Sequence, residues 1–125
     1  MNVVDSSGWI EYFHDSSRAD LFASAIEQRD ALIVPVIAIY EVHKILSRQM
    51  PEEVVDKFLD VMRLGRIVEL TDKRAVAAAK ASSAHGLAMA DAAMYAIAQE
   101  FKAMFWTQDV DYQGLGNVKL FAKVA

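Results

Sequence analysis

The chain of 125 residues contains no cysteine. Disulfides, thiolate zinc sites and cysteine nucleophiles are therefore excluded, which agrees with an expected location in a reducing cytoplasm. There are two prolines and five glycines, and no glycine-rich stretch resembles a phosphate-binding loop or a dinucleotide fingerprint. No apolar run approaches the roughly 18–20 residues that a membrane-spanning helix needs. The opening MNVVDSSGW has no basic segment and does not read as a secretory signal. No repeat, low-complexity tract or linker breaks the chain.

Basic residues are also in short supply. Thirteen Lys and Arg face seventeen Asp and Glu, a net charge of −4. Taken alone, that argues against a polyanionic partner, because phosphate binding normally uses a basic surface. The objection weakens if several acids gather where cations neutralise them, so their placement matters. Abundance lies elsewhere: 54% of residues are hydrophobic, enough to bury a full core. The expectation is one domain over 1–125.

The pattern alternates strands with helices. Asn2–Val4 reads as a strand that ends in Asp-Ser-Ser-Gly. Trp9–Phe13 and Ala19–Gln28 read as helices, and Ala31–Val34 as a buried strand closed by Pro35. Helices are expected over Ala38–Arg48 and from Pro51 to Gly65. Arg66–Leu70 is the third expected strand. Thr71 can cap a helix that stops at Gly86, and Met89–Phe101 forms another. Ala103–Trp106 and Val118–Phe121 complete the set. Such alternation implies an α/β fold, a three-layer α/β/α sandwich with a mostly parallel central sheet.

In an open parallel sheet, ligands bind beyond the carboxyl ends of the strands. Four acids fall on that edge. Asp5 follows the first strand; Glu41 is expected in the first turn of the helix after the second strand. Asp91 opens the helix that leads into the fourth strand, and Asp109 follows that strand, with Asp111 nearby. Each has an ordinary explanation: a turn for Asp5, a helix N-terminal charge for Asp91, a pairing of Glu41 with Lys44, loop chemistry for Asp109. Their convergence, each beside apolar sequence, favours a shared site. Clustered carboxylates resist ionising together unless a cation sits among them. Oxygen donors without Cys or a placed His suit Mg²⁺ or Mn²⁺, ions used to hydrolyse phosphodiesters.

With these motifs in place, Val3-Val4-Asp5-Ser6-Ser7, Glu41, Leu87-Ala88-Met89-Ala90-Asp91-Ala92 and Thr107-Gln108-Asp109-Val110-Asp111-Tyr112, the sequence resembles the PIN-domain ribonucleases, and among them the VapC-type toxins of toxin–antitoxin pairs. The resemblance spans nearly the whole chain. It implies that Asp5, Glu41, Asp91 and Asp109 ligate Mg²⁺ or Mn²⁺ and are catalytic, with Ser7 and Thr107 as supporting hydroxyls. Asp111 is a further candidate near the metal; the Thr-x-Asp spacing favours Asp109 as the closer ligand. Ser6 stands where Thr is frequent in the family, and Tyr112 where Phe is. The resemblance further implies an RNA substrate, a cognate antitoxin and a homodimer, with no membrane partner. A housekeeping nuclease without an antitoxin and a non-catalytic interaction module are the alternatives.

Other chemistries have less support. A serine hydrolase would want a Gly-x-Ser-x-Gly elbow, and an aspartate-based phosphatase a second Asp where Ser7 stands. Trp9, Tyr12, Phe13 and Phe22 could stack bases, but read better as core or interface. Arg18, Lys44, Arg48, Lys73 and Arg74 are candidates for touching RNA phosphates. His43, His85, Glu52, Glu53, Asp56 and Lys57 read as surface residues.

Overall fold

The structure, a computed structural model, describes residues 1–123; the final two positions of the expected domain lie outside that range. The elements in chain order are β1 (Asn2–Val4), α1 (Ser6–Phe13), α2 (Ala19–Glu27), β2 (Leu32–Pro35), α3 (Val36–Leu46), α4 (Glu52–Met62), β3 (Arg66–Val68), α5 (Asp72–His85), α6 (Met89–Glu100), β4 (Met104–Thr107) and β5 (Val118–Leu120). All five strands run parallel, in the order β3-β2-β1-β4-β5. The sheet is thus wholly parallel, where the sequence pattern predicted mostly parallel.

Parallel crossovers are right-handed, so a chain that reverses its direction of travel across the sheet changes face. From β1 the strand order moves one way to β2 and β3, and the other way to β4 and β5. Helices α1–α4 therefore form one layer and the α5–α6 hairpin the other, which matches the α1–α2, α1–α3, α3–α4 and α5–α6 contacts. The point of reversal lies between β1 and β4, and the crevice above it is where such sheets bind ligands.

Two helices begin earlier than expected. The Asp5 carbonyl already accepts from the Gly8 and Trp9 amides at 2.9 and 3.2 Å, so α1 opens at Ser6. Likewise α3 opens at Val36 behind Pro35, which places Glu41 in the second helical turn and not the first. Beyond its opening, α6 is buried on every side from Ala92 to Ala98. Small alanines permit that close packing between the sheet and α5. Thr71 caps α5 by accepting from the Arg74 amide, and Gly86 ends it in a left-handed conformation (φ 68°) that suits glycine. Among the described residues, no helix is long and apolar enough to cross a membrane.

Trp9 is fully enclosed, and Phe13 stacks between Trp9 and Phe58 at centroid separations of 5.5 and 4.4 Å. Trp9 is therefore core, unavailable for stacking a base or receiving a partner. Gly8 shows how tightly this corner is filled. A Cβ there would stand 2.7 Å from Phe22 and 2.8 Å from Val4. Alanine in mid-helix normally gains about 1 kcal/mol over glycine; here overpacking outweighs it. Gly8→Ala is expected to lose roughly 1–2 kcal/mol net, read as a lowered urea midpoint at constant slope. An unchanged or raised midpoint would contradict the packing.

Candidate active site

The parallel register fixes the first two elements of the site. Val4 lies opposite Trp106, and the Asp5 amide donates to the Trp106 carbonyl at 2.9 Å, so Asp5 and Thr107 leave the sheet side by side. The Thr107 hydroxyl donates to Asp5 Oδ2 at 2.8 Å, and the Ser7 hydroxyl approaches the same oxygen at 3.2 Å. Thr107 Oγ1 in turn accepts from the Asp109 amide at 3.0 Å. One buried hydroxyl thus ties the first acid to the loop that carries the fourth.

Glu41 reaches the crevice from α3. The Ser6 hydroxyl donates to Glu41 Oε1 at 2.7 Å and holds it there. Asp91 enters from the exposed first turn of α6, at the point where that helix goes fully into the core. Ser7 and Thr107, expected as supporting hydroxyls, both hydrogen-bond Asp5. Ser6 and Gln108 were not anticipated as site residues. Gln108 accepts from Arg18 Nε at 2.7 Å and donates to Glu11 Oε2 at 3.0 Å, walling the crevice on the α1–α2 side.

Together Asp5, Glu41, Asp91 and Asp109 line one open cleft of about 380 Å³, with Ser6, Ser7 and Gln108 between them. Asp111 does not line it; its amide donates to Asp109 Oδ1 at 2.9 Å and its side chain faces solvent. Asp109 therefore also caps the short helical turn Val110–Tyr112. Among the described residues, no three acids stand close enough to ligate one ion as the side chains lie. They share a cleft, where like charges repel.

The electrostatics follow from burial and crowding. Asp5 is 3% exposed, and desolvation raises its pKa from an ordinary 3.8 to about 6; the Thr107 hydrogen bond opposes this and the charge of Asp91 adds to it. Half-buried Asp91 is raised by desolvation and by the charges of Glu41, Asp109 and Asp111, against the influence of the nearby Tyr112 hydroxyl. That hydroxyl is itself buried, and burial together with the Asp5 and Asp91 charges holds it protonated. These carboxylates would be stabilised by positive charge. Four carboxylates, hydroxyl supports and no imidazole or thiol form a hard-oxygen donor set, which fits Mg²⁺ or Mn²⁺.

The cations sort by position. Arg18 is committed to Gln108 and the Phe121 carbonyl. Arg74 holds Glu100 through two 2.9 Å contacts, at the opposite end of α6 from Asp91. Nine residues at about 1.5 Å each separate those ends by roughly 14 Å, which removes Arg74 and its neighbour Lys73 from the cleft. Lys44 and Arg48 stay beside it, next to Glu41. Lys123 lines the cleft from the far rim, 3.7 Å from Glu11.

A wholly parallel α/β sandwich with four carboxylates in a cleft at its topological switch point defines a class of fold and site. The sequence pattern of the PIN domain family matches residues 3–117, and the chain belongs to that family. No curated protein sequence matches it. Among solved structures it is similar to a toxin–antitoxin complex from Klebsiella pneumoniae (TM-score 0.82, 15% identity, covering 98% of this chain and 100% of that one). It is also similar to VapC20 of Mycobacterium tuberculosis, a Sarcin-Ricin loop cleaving toxin (0.77, 14%, 93% and 95%). A third is VapBC2 from Rickettsia felis bound to a DNA fragment from its promoter (0.74, 11%, 98% and 98%).

The raised Asp5 pKa has a stability consequence. The folded state holds that proton more tightly than the unfolded chain, so metal-free stability is greatest below about pH 4 with respect to this group. It falls as pH rises to about 6, by roughly 3 kcal/mol. Asp5→Asn should remove that fall, so the variant gains on wild type across this window and keeps the gain above it. Urea unfolding of both proteins in chelator at several pH values checks it; a pH-independent difference would refute the shift.

Proposed function

We propose that this protein is a metal-dependent endoribonuclease and acts in the cytoplasm as the toxin of a toxin–antitoxin pair. The observation that carries the reading is the convergence of Asp5, Glu41, Asp91 and Asp109 on one cleft of a PIN domain. Likeness to toxin structures supports the biological role. Asp5, Glu41, Asp91 and Asp109 would hold Mg²⁺ or Mn²⁺. Such an ion, when bound, lowers the pKa of a water and neutralises charge developing on the phosphate oxygens.

The chain's own groups do the positioning. Thr107 and Ser7 fix one Asp5 oxygen and leave the other for the cleft. Ser6 does the same for Glu41. Burial of Asp5 keeps water from competing at the floor of the site, where charge interactions are strongest. Asp91 and Asp109 stand nearer to solvent than Asp5 does.

Single-stranded RNA should be cleaved with Mg²⁺ or Mn²⁺ and spared in excess EDTA. Asp91→Asn should abolish cleavage while leaving metal-free stability unchanged or higher, because it removes like-charge repulsion. Wild type should also melt higher with metal, by about 1.4 kcal/mol at ten times Kd, and Asp91→Asn much less. Cleavage that persists in chelator, or an active Asp91→Asn, would overturn the assignment.

The antitoxin is best accommodated on the opposite side of α1. Tyr12, Phe13, Phe58 and Val61 line a groove of about 420 Å³ whose rim carries Asp15, Asp20, Glu27 and Arg29. Three acids against one cation suit an apolar antitoxin segment that carries basic residues. Co-expression of the adjacent reading frame should rescue growth through a direct complex. Asp20→Lys with Glu27→Lys should weaken that complex by tenfold or more in a binding titration, most strongly at low salt. Unchanged affinity would place the antitoxin elsewhere. The family resemblance also suggests a homodimer.

A further inference from the structure

Beside the acid cleft, α3 presents a second, shallower groove of about 200 Å³, lined by Tyr40, Glu41, Lys44, Ile45 and Arg48. Glu41 and Ile45 also line the acid cleft, so the two depressions are continuous. Tyr40 and Lys44 are one helical turn apart on the same stripe, and Arg48 follows in the turn after α3.

The composition of this groove is unusual for a protein of net charge −4. Tyr40 is 59% exposed and contributes little to the core. Lys44 Nζ lies 5.9 Å from the centre of its ring. Among the described residues, neither Lys44 nor Arg48 forms an ion pair, whereas Arg63, Arg74 and Lys123 each meet a carboxylate. An exposed aromatic ring with two free cations, adjoining a phosphodiester-cleaving site, is the combination that holds single-stranded nucleic acid: the ring stacks a base and the cations follow the backbone.

We propose that this face of α3 is the binding subsite for the nucleotides flanking the scissile phosphate, with Tyr40 stacking on a base and Lys44 and Arg48 contacting backbone phosphates. The inference rests on the ribonuclease reading and adds where the strand lies. RNA enters along α3, over Glu41, and its reactive phosphate comes to rest among the acids. Tyr40 contributes a π face, which every base can use, so this subsite supplies affinity and register with little sequence choice.

The test uses the full chain carrying Asp91→Asn, which should bind RNA without cutting it, and a short labelled single-stranded RNA of mixed sequence followed by fluorescence anisotropy. Adding Tyr40→Ala should weaken binding about tenfold, and Tyr40→Phe should restore most of it. Lys44→Ala and Arg48→Ala should each lower the slope of log affinity against log salt by about 0.7. In the cleaving background, Tyr40→Ala should raise KM far more than it lowers kcat. Affinity within twofold of the parent for Tyr40→Ala, or equal losses for Tyr40→Phe and Tyr40→Ala, would overturn the stacking role. A changed oligomeric state with RNA affinity intact would overturn it too, assigning the face to contact between copies. Failure of the unmutated protein to cleave RNA would count against the ribonuclease reading, and that is measured separately.

Discussion

A carboxylate 3% exposed, fixed between two parallel strands, is the constraint on which this molecule turns. Burying an ionisable acid with hydroxyls, amides and a second carboxylate for company is unfavourable, and the pKa of Asp5 is raised accordingly. The fold sustains it because the surrounding geometry is over-determined. The β1–β4 register sets Thr107 beside Asp5, Gly8 lets α1 close over the corner, and the Trp9–Phe13–Phe58 stack fills the volume behind it. None of these contacts is chemistry, yet each is needed to keep a charge where solvent cannot relax it.

The second consequence concerns how the acids are distributed among elements. They come from β1, α3, α6 and the loop after β4, four segments far apart in sequence that meet only because the strand order reverses between β1 and β4. Three of the four are tied to a neighbour by a small hydroxyl or an amide: Asp5 by Thr107, Glu41 by Ser6, Asp109 by the Asp111 amide. Short tethers of this kind restrict the carboxylates without neutralising them. The repulsion among them remains available to a cation, which is how an electrostatically unfavourable arrangement becomes a selective one.

That logic also explains what could be read from the chain. Asp5, Asp91 and Asp109 could be singled out as candidates because each stands beside apolar residues at the end of an expected strand or the start of an expected helix; Glu41, expected in a first turn, lies in the second turn of α3. Ser6 and Gln108 could not be singled out, since their partners Glu41, Glu11 and Arg18 lie 35, 97 and 90 positions away and nothing local marks them. The helix starts at Ser6 and Val36 were missed for a related reason. Ser-Ser-Gly reads as a turn and β-branched Val36-Ile37 gives no local helix signal, yet both stretches open helices in the fold. Trp9 illustrates the converse: an aromatic near the amino terminus has the composition of a contact surface, and only the fold shows it enclosed.

Net negative charge is compatible with the proposed RNA-directed site once the charges are resolved by location. Arg18 and Arg74, two of the cations that composition alone would offer to a polyanion, are committed to structural contacts. The acids at the groove between α1, α2 and α4 face away from the cleft and suit a basic partner, while Lys44 and Arg48 lie free at the mouth of the cleft. A chain of this size thus carries two grooves of different charge, an acidic-rimmed one against α1 and a basic one on α3. Since α1 packs directly on α3, the two grooves share a rigid wall. That wall is built from the same two helices that carry Ser6, Ser7 and Glu41 into the cleft.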